Sequence, residues 1–321
     1  MKLSLLQWLQ CPDCQQTLAC EVIQQEGDEI LEGNLSCARC QTSYPIRNAV
    51  PRFVPGDSYV NNFSFEWNVH RTTQVDSQSG RTDSEDRFRQ SMPFPLEELK
   101  GKLVLDVGCG IGRFAAIALK YGATVIGVDL SYAVDAAFKN MGERPQMHIV
   151  QGDVFRLPLK RDAFDLIYSL GVLHHTPDCR KAFEQLPQYL KSGGSVVITV
   201  YTNQNKFYVM STNFWRRLTP RLPKRLLYAL CHVAIPLYYV NRIPLLRYLG
   251  QGILPINMDP DWRWRVLDTF DCYSPKYQSY HSYPEVFGWF ESKGLCRIRI
   301  VEPAVTVMGK RPGIEARHGA A

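Results

Sequence analysis

The sequence predicts an α/β fold in which a doubly wound parallel sheet follows a small cysteine-rich module. Strand-like apolar segments alternate with helix-like segments from residue 102 onward, and a glycine-rich turn follows the first of them. Two Cys-x-x-Cys pairs precede this alternation. The 321 residues, 45% of them hydrophobic, can bury a full core, so the length fits one main domain and a small one.

The cysteine-rich module contains Cys11-Pro-Asp-Cys14 and Cys37-Ala-Arg-Cys40, separated by a polar hairpin of 22 residues. Four thiolates on two tight turns suit a tetrahedral zinc ion in a closed, structural site. Metal-free cysteines in two buried turns are the alternative, and a redox pair lacks the expected βαβ surroundings. Reduced thiols without a convincing signal peptide or an 18-residue apolar run predict a cytoplasmic protein.

The sequence around the cysteines, with Tyr44-Pro45-Ile46-Arg47 near its end, resembles the zinc-ribbon family that includes the small activator subunit of tRNA and release-factor methyltransferases. The resemblance covers residues 1–55. It implies a zinc ribbon in which Cys11, Cys14, Cys37 and Cys40 bind the metal.

Residues 56–100 are predicted to connect the ribbon to the main domain. An aromatic cluster within this segment has two interpretations: it caps a ligand site, or it anchors the ribbon on the next domain. On the first interpretation, Phe65 and Trp67 belong to a substrate pocket.

A glycine-rich turn joins the first strand of the main domain to a helix. Gly108, Gly110 and Gly112 let the backbone bend sharply and let a ligand approach it, while the helix N-terminus offers free N–H donors. A dinucleotide fingerprint would place its third glycine at position 113, where this chain has Arg113. Asp106 stands two residues before Gly108, where a carboxylate could meet a cationic amine.

This turn resembles motif I of the class I S-adenosylmethionine-dependent methyltransferases, and the later motifs of that family follow in order. Asp129 ends the second strand, where the family's acid binds ribose hydroxyls, and Asp153 matches the acid that meets adenine. The resemblance implies a set of cofactor contacts on the strand ends and the loops that follow: Asp106, Gly108, Cys109, Gly110, Gly112, Arg113, Asp129, Leu130, Gly152, Asp153, Val154, Phe155, Ser169 and Leu170.

The alternation of patterns predicts the secondary structure of the main domain. Strands are expected at 102–108, 124–130, 147–152, 163–170, 194–202, 295–301 and 304–308, and helices at 112–121, 131–141, 178–191 and 283–293. Gly122 and the pair Gly193-Gly194 stand where helices are expected to stop. The family resemblance implies an antiparallel final strand.

Two histidines follow the fourth strand, where the family's substrate meets the methyl group. His174 and His175 could orient or deprotonate a hydroxyl, although a base is needed only if the nucleophile must lose a proton. The structural alternative is that one of them packs against the helix entry.

Residues 203–260 are predicted to be a helical insertion that is basic and rich in aromatic residues. No acidic residue lies between Glu184 and Asp259, whereas nine lysines and arginines do. Such a segment could lie on an anionic membrane, here through residues 206–250, form a lid over the substrate, or bind nucleic acid. We expect the lid or the lipid-facing subdomain.

The segment after the insertion, residues 261–283, is dense in polar aromatic residues. It is expected either to line the substrate pocket or to pack between lid and sheet. Tyr201, Tyr273, Tyr277 and His281 are the pocket candidates, and Asp271 is a further candidate for substrate contact.

The sequence therefore predicts an S-adenosylmethionine-dependent methyltransferase of a small-molecule or lipid-like acceptor, with structural zinc. An RNA methyltransferase is the alternative enzyme, although no cysteine follows a proline as in the C5-pyrimidine methyltransferases. A non-catalytic ribbon with a vestigial cofactor fold is the other alternative. The predicted division is 1–55 ribbon, 56–100 linker, 101–311 methyltransferase domain and 312–321 tail, and the oligomeric state stays open.

Overall fold

The computed structural model describes residues 1–54, 76, 80–301 and 305–313, and within these ranges the strands form two sheets. A four-stranded antiparallel sheet is built in chain order from β1 (Ala19–Glu26), β2 (Glu29–Ser36), β3 (Ser43–Arg47) and β4 (Val50–Pro51). A seven-stranded sheet contains β5 (Leu103–Val107), β6 (Thr124–Asp129), β7 (Met147–Gln151), β8 (Phe164–Leu170), β9 (Leu190–Val200), β10 (Cys296–Val301) and β11 (Val305–Lys310).

The large sheet is mostly parallel, with the order β10-β11-β9-β8-β5-β6-β7. Strands β5 to β9 run parallel, whereas β11 is antiparallel to both β9 and β10. This confirms the predicted doubly wound, Rossmann-like fold and its antiparallel final strand. Because the chain winds outward in both directions from the adjacent strands β5 and β8, a crevice opens at their carboxyl ends.

The α-helices lie between the strands and in the insertion. They are α1 (Asp83–Ser91), α2 (Arg113–Lys120), α3 (Ala133–Met141), α4 (Cys179–Glu184), α5 (Lys206–Trp215), α6 (Lys224–Cys231), α7 (Ala234–Val240), α8 (Pro244–Ile253), α9 (Trp262–Tyr273) and α10 (Tyr283–Ser292). Short 3-10 helices span Leu3–Trp8, Leu96–Leu99, Leu173–His175, Pro187–Tyr189 and Thr219–Arg221. None of the described helices is long and apolar enough to cross a membrane.

The predicted helix 178–191 is wrong in its second half. Helix α4 ends at Glu184, and β9 begins at Leu190 and takes in Gly193 and Gly194, which were expected to stop a helix. The pairing explains this, because Phe164 faces Leu190 while Leu166 faces Ser195, so β9 carries extra residues there. Gly193 has a φ of +78° and supports an irregular strand. The other predicted strands agree with the structure to within two residues at each end.

The small sheet packs against the β7 end of the large sheet. The Lys160 N–H donates to the carbonyl of Trp8 at 2.8 Å, and Leu9 forms a bridge with Leu159. Arg52 extends from the end of β4, where its guanidinium pairs with Asp135 at 2.5 Å and donates to Gln151 Oε1 at 3.2 Å. One hydrophobic core therefore runs from the cysteine-rich module into the large sheet.

The helical insertion has a small core of its own. Leu227 and Cys231 of α6 pack with Val266 and Phe270 of α9. Arg216, at the end of α5, donates to the carbonyl oxygens of Cys272 at 3.0 Å and Pro275 at 2.7 Å. These contacts hold α5, α6 and α9 together as one unit.

Candidate active site and metal centre

The four cysteines of the two Cys-x-x-Cys pairs converge. The sulfur atoms of Cys11, Cys14, Cys37 and Cys40 all lie within 4.8 Å of one another, with Cys11–Cys40 at 3.4 Å and Cys14–Cys37 at 3.3 Å. A tetrahedral zinc ion with bonds of about 2.3 Å needs sulfur atoms roughly 3.8 Å apart. The cysteine-rich module therefore presents a donor set whose chemistry and spacing fit zinc.

Local hydrogen bonds prepare one of these thiols for metal binding. The Thr42 hydroxyl lies 3.3 Å from Cys40 Sγ, and hydrogen bonds from Thr42 lower the pKa of Cys40 to about 6. A thiol with this pKa is mostly thiolate at neutral pH, and the thiolate is the form that binds metal.

A cavity of about 560 Å³ opens at the carboxyl ends of β5, β6 and β8. This volume is within the range of about 300–1,000 Å³ that is typical of small-molecule sites. One side of the cavity is the glycine-rich loop with the ends of β6 and β7, and the other side comes from α9, Tyr201, Tyr208 and residues 255–258. The cavity thus joins the predicted cofactor site to the helical insertion.

Packing against the protein itself explains two of the loop glycines. Gly108 has a φ of +79°, and an added Cβ would lie 2.3 Å from a methyl carbon of Val172. Gly112 has a φ of +85°, and its Cβ would lie 1.7 Å from Met141 Cε. Side chains at either position would therefore move the loop that forms this side of the cavity.

Asp129 ties the end of β6 to the glycine-rich loop. Its Oδ2 accepts a hydrogen bond from the Gly110 N–H at 2.9 Å, and its Oδ1 accepts from the backbone and hydroxyl of Ser131 at 2.8 and 2.7 Å. Burial raises the pKa of Asp129, while these hydrogen bonds oppose the rise. Oδ2 keeps a further lone pair, so the residue can still accept from a hydroxyl of a bound ligand.

The structure places ten of the fourteen expected cofactor residues on the cavity wall: Gly108, Cys109, Gly110, Arg113, Asp129, Leu130, Gly152, Asp153, Val154 and Leu170. Asp153 accepts from the Phe155 N–H at 3.0 Å, and burial raises its pKa. Arg113 is held by Ser84, whose hydroxyl accepts from Nε at 2.8 Å. Loop, acids and apolar groups together form a cradle that fits a small polar cofactor.

Four of the expected cofactor residues do not line the cavity, namely Asp106, Gly112, Phe155 and Ser169. Asp106 is 2% exposed and accepts from the Tyr168 hydroxyl at 3.0 Å. Burial raises the pKa of Asp106 to about 8 in the ligand-free chain, whereas a cationic amine beside it would lower that pKa, so its contact with the cofactor stays a prediction. Ser169 donates to the carbonyl of Val107 at 2.9 Å. Both residues support the strands behind the cavity.

The two histidines occupy different positions. His174 is fully buried, does not line the cavity, and stacks on Tyr201 with ring centroids 3.7 Å apart, which agrees with the structural alternative, while its catalytic role stays a prediction. His175 does line the cavity, and its Nδ1 lies 3.2 Å from the carbonyl of Tyr277. Burial lowers the pKa of His175 to about 3, so its ring is neutral at neutral pH.

The insertion side of the cavity carries two carboxylates. Asp268 and Asp271 are three residues apart on α9 and both line the cavity. Asp268 Oδ2 accepts from Asn257 Nδ2 at 2.8 Å and from Trp264 Nε1 at 3.2 Å. Asp271 Oδ1 is buried and has no hydrogen-bond partner among the described residues. Burial raises the pKa of Asp271 to about 7 and that of Asp268 to about 6.

The expected pocket residues differ in whether they line the cavity. Tyr201 lines the cavity, whereas Tyr273, Tyr277 and His281 do not. The Tyr273 hydroxyl donates to the carbonyl of Pro255 at 2.7 Å within the insertion core, and His281 Nδ1 lies 2.8 Å from Glu285 Oε1. These three therefore support the wall from behind. Phe65 and Trp67 lie outside the described residues.

Two protein families match separate parts of the sequence. Residues 105–198 match the family described as "Methyltransferase domain", and residues 2–48 match "Trm112p-like protein". The first match shows similarity to a methyltransferase domain over less than a third of the chain. Its glycine-rich loop, Asp129 and Asp153 all lie within the matched range, and the four cysteines lie within the Trm112p-like match.

Known relatives of this chain act on different acceptors. The chain is 34% identical over 113 residues to the ubiquinone biosynthesis O-methyltransferase of Coxiella burnetii, which is 35% of this chain and 48% of that protein. It is 36% identical over 108 residues to the tRNA U34 carboxymethyltransferase of Proteus mirabilis, covering 32% and 33%. It is 33% identical over 99 residues to the malonyl-[acyl-carrier protein] O-methyltransferase of Legionella pneumophila, covering 30% and 35%. The chain thus spans half or less of each relative's length.

Several residues that line the cavity were not expected from the sequence: Arg87, Phe114, Val172, Thr176, Tyr208, Pro255, Ile256, Asn257, Met258, Asp268 and Cys272. Arg87 comes from α1, in the segment predicted to be a linker. One sequence pattern could have predicted the position of Asp268: its i, i+3 spacing from Asp271 places both residues on one face of a helix.

Proposed function

We propose that this chain transfers a methyl group from S-adenosylmethionine to a hydroxyl of a small-molecule or lipid-like acceptor. The observation that carries the proposal is the single cavity that joins the glycine-rich loop to Asp271 on α9. Two of the three relatives named above are O-methyltransferases, which supports an oxygen nucleophile.

The strand-end residues would hold the cofactor. Asp129 would accept from ribose hydroxyls, and Asp153 with Val154 and Leu170 would surround the adenine, since all four line the cavity. Bound S-adenosylmethionine supplies an electrophilic methyl group, which an acceptor oxygen takes as the carbon–sulfur electron pair returns to sulfur. Much of the rate in such a displacement comes from positioning, which both sides of the cavity provide.

Asp271 is the group best placed to take the acceptor's proton. Its side chain lies on the cavity wall and is only partly buried, so its carboxylate would accept a hydrogen bond from a hydroxyl in the cavity. A base is most effective when its pKa lies near the working pH, and the pKa of Asp271 is raised to about 7. His175, with a pKa lowered to about 3, is a far weaker proton acceptor.

His175 and Tyr201 would instead orient the acceptor. The contact of His175 Nδ1 with the Tyr277 carbonyl fixes the imidazole ring, and Tyr201 lies edge-on to that ring with centroids 5.4 Å apart. Both residues line the cavity beside Asp271. A rigid aromatic wall of this kind can hold the apolar part of an acceptor while one polar group faces the base.

We further propose that zinc in the four-cysteine site acts structurally and supports the cofactor side of the cavity. Asp13, between Cys11 and Cys14, pairs with Arg156 and accepts from the Tyr44 hydroxyl at 3.0 Å. Arg156 follows Asp153 by three residues in the same loop. Zinc would thereby fix the cysteine turns and, through the ion pair of Asp13 with Arg156, the loop that carries Asp153.

A radiolabel experiment tests the proposal. Purified chain and methyl-labelled S-adenosylmethionine are incubated with a host-cell extract, which is then separated into organic-soluble, small aqueous, RNA and protein fractions. The control is the same incubation with Asp271→Asn. Label in the organic or small-molecule fraction that depends on Asp271 supports the proposal. Label in RNA would overturn the acceptor class and favour the RNA methyltransferase alternative, and label in no fraction would favour a non-catalytic module.

A lipid-like acceptor would reach the cavity from a membrane, so peripheral membrane contact through residues 206–250 belongs to the same proposal. The helices in that range pack next to α9, which carries Asp271.

A further inference from the structure

Helix α5 exposes a stripe of large apolar side chains. Phe207, Met210 and Phe214 are 76%, 65% and 61% exposed. Their spacing of three and then four residues places them on one face of the helix. Thr212, on the opposite face, is fully buried, and Ser211, at the edge of the stripe, is buried as well. The apolar face of α5 is therefore turned away from the core.

Helix α8 adds a second stripe next to the first. Leu249 and Ile253 are 58% and 66% exposed. The carbonyl of Ile253 accepts hydrogen bonds from the Ser211 hydroxyl at 2.9 Å and from Trp215 Nε1 at 2.6 Å, which joins the end of α8 to α5. We call the combined patch the α5–α8 surface, defined as Phe207, Met210, Phe214, Leu249 and Ile253. Exposed apolar clusters of this kind mark interaction sites.

The charged side chains of the segment that forms the α5–α8 surface are all positive. Residues 185–258 contain no aspartate or glutamate. Within the described part of the chain, none of the exposed cations of this region forms an ion pair with a carboxylate: Lys206, Arg217, Arg221, Arg225, Arg242 and Arg247. These cations are available for a partner with negative charge.

We propose that the α5–α8 surface docks on an anionic lipid bilayer. Its apolar side chains would enter the boundary between headgroups and acyl chains, and the surrounding cations would meet lipid phosphates. A second copy of this chain fits less well, because the contact would bring like charges together. A nucleic acid fits less well, because only two of the five side chains, Phe207 and Phe214, offer a stacking face to a base. The inference extends the proposed lipid-like acceptor, on which it rests for its biological role, but bilayer binding itself requires no turnover.

Co-sedimentation with vesicles tests the proposal on the full chain without S-adenosylmethionine, so a failure of methyl transfer leaves the result untouched. The probes are vesicles of phosphatidylglycerol and phosphatidylcholine in equal parts and vesicles of phosphatidylcholine alone. The apolar variant is Phe207→Ser with Met210→Ser and Phe214→Ser. Its matched control replaces three exposed apolar residues of the cysteine-rich module, Leu3→Ser with Val22→Ser and Ile23→Ser.

A second pair of variants tests the charges. Arg217→Glu with Arg242→Glu and Arg247→Glu reverses three cations of the surface, and Lys100→Glu with Lys102→Glu and Lys160→Glu reverses three exposed lysines elsewhere. Circular dichroism and melting curves check that all four variants fold, since each change is at an exposed side chain.

The expected result is tight binding to anionic vesicles that weakens with added salt, and at least about 10-fold weaker binding to neutral vesicles. The apolar and charge variants should each lose roughly 10-fold to 100-fold in partition coefficient, while both controls stay within about twofold. Equal binding to both vesicle types, no binding, or unchanged binding by the variants would overturn the proposal. So would a dimer in analytical ultracentrifugation that the apolar variant dissociates, or RNA binding that only the charge variant loses.

Discussion

Replacing Asp271 with asparagine should separate catalysis from stability. The proposed base would be lost, so methyl transfer should fall by at least about 100-fold. The folded protein should nevertheless become more stable at pH 8, because a buried carboxylate whose Oδ1 has no partner among the described residues is replaced by a neutral amide.

The size of this stabilisation follows from the pKa of Asp271. Burial raises it to about 7 in the folded chain, against about 3.9 for an unfolded aspartate. A folded pKa above the unfolded one means that stability present at pH 4 is lost as the pH rises to 7. At about 1.4 kcal/mol per pKa unit, the stability lost between pH 4 and pH 7 is on the order of 4 kcal/mol. Water reaches the partly exposed side chain, so we expect a loss of about 2 kcal/mol. For 321 residues this corresponds to roughly 3 °C in melting temperature at pH 8 and close to none at pH 4.

Thermal melts at pH 4 and pH 8 and the pH profile of kcat/KM measure both effects. The wild-type kcat/KM should rise with pH to a plateau above about 7, because the base must be ionised. Asp268→Asn is the matched control: its Oδ2 is hydrogen-bonded to Asn257 and Trp264, so removing its charge should stabilise less. Wild-type kcat/KM for Asp271→Asn, or a lower melting temperature at pH 8, would refute the reasoning.

Three further changes test the loop, the metal centre and the cofactor site. Gly112→Ala should lower the free energy of unfolding by about 1–3 kcal/mol in a denaturant titration, because the methyl meets Met141, whereas Gly288→Ala, with open space around it, should not. Cys37→Ser should abolish zinc binding measured by metal analysis, whereas Cys20→Ser, outside the four-cysteine cluster, should keep full zinc occupancy. Zinc bound to both variants would contradict the four-cysteine assignment. Asp129→Asn should weaken S-adenosylmethionine binding roughly 10-fold in calorimetry, while Asp178→Asn, at the partly exposed start of α4, should match wild type. Equal affinities of the two variants would contradict the ribose assignment.

The sheet could be predicted from the sequence because its strands are short apolar runs that end in an acid or a glycine. Strands β5 to β8 follow that pattern, and their predicted bounds agree with the structure to within two residues. Strand β9 does not follow it. Residues 185–191 fit a helical pattern, but the pairing of Leu190 with Phe164 is a contact between distant segments that local periodicity cannot encode.

The cofactor side of the cavity was predictable for a related reason. Asp129 and Asp153 stand at fixed distances from the glycine-rich loop, and parallel strands bring their carboxyl ends to one edge. Asp106 also has the expected spacing, but it is buried and accepts from the Tyr168 hydroxyl of the neighbouring strand, so its contact with the cofactor stays a prediction. The division of the chain into ribbon, linker and methyltransferase domain stays a prediction.

The acceptor side was less predictable because its residues meet only through the fold. Arg87 comes from α1, Tyr208 from α5 and Asp271 from α9, and no motif links their positions in the sequence. The density of polar aromatic residues indicated the segment that lines the cavity, but not which of its residues do so. Tyr273 and His281 support the wall, whereas Asp271 faces the cavity.

The docking of the cysteine-rich module on β7 also protects the large sheet. A strand at the end of a sheet presents unpaired N–H and C=O groups that invite pairing with another chain. Here the Phe53 N–H donates to the carbonyl of Gln151 at 2.8 Å, and Arg52 bridges to the same residue. Because the cysteine-rich module and β7 belong to one polypeptide, their effective concentration is on the order of millimolar. The module therefore stays on β7 with little intrinsic affinity, whatever the expression level of the protein.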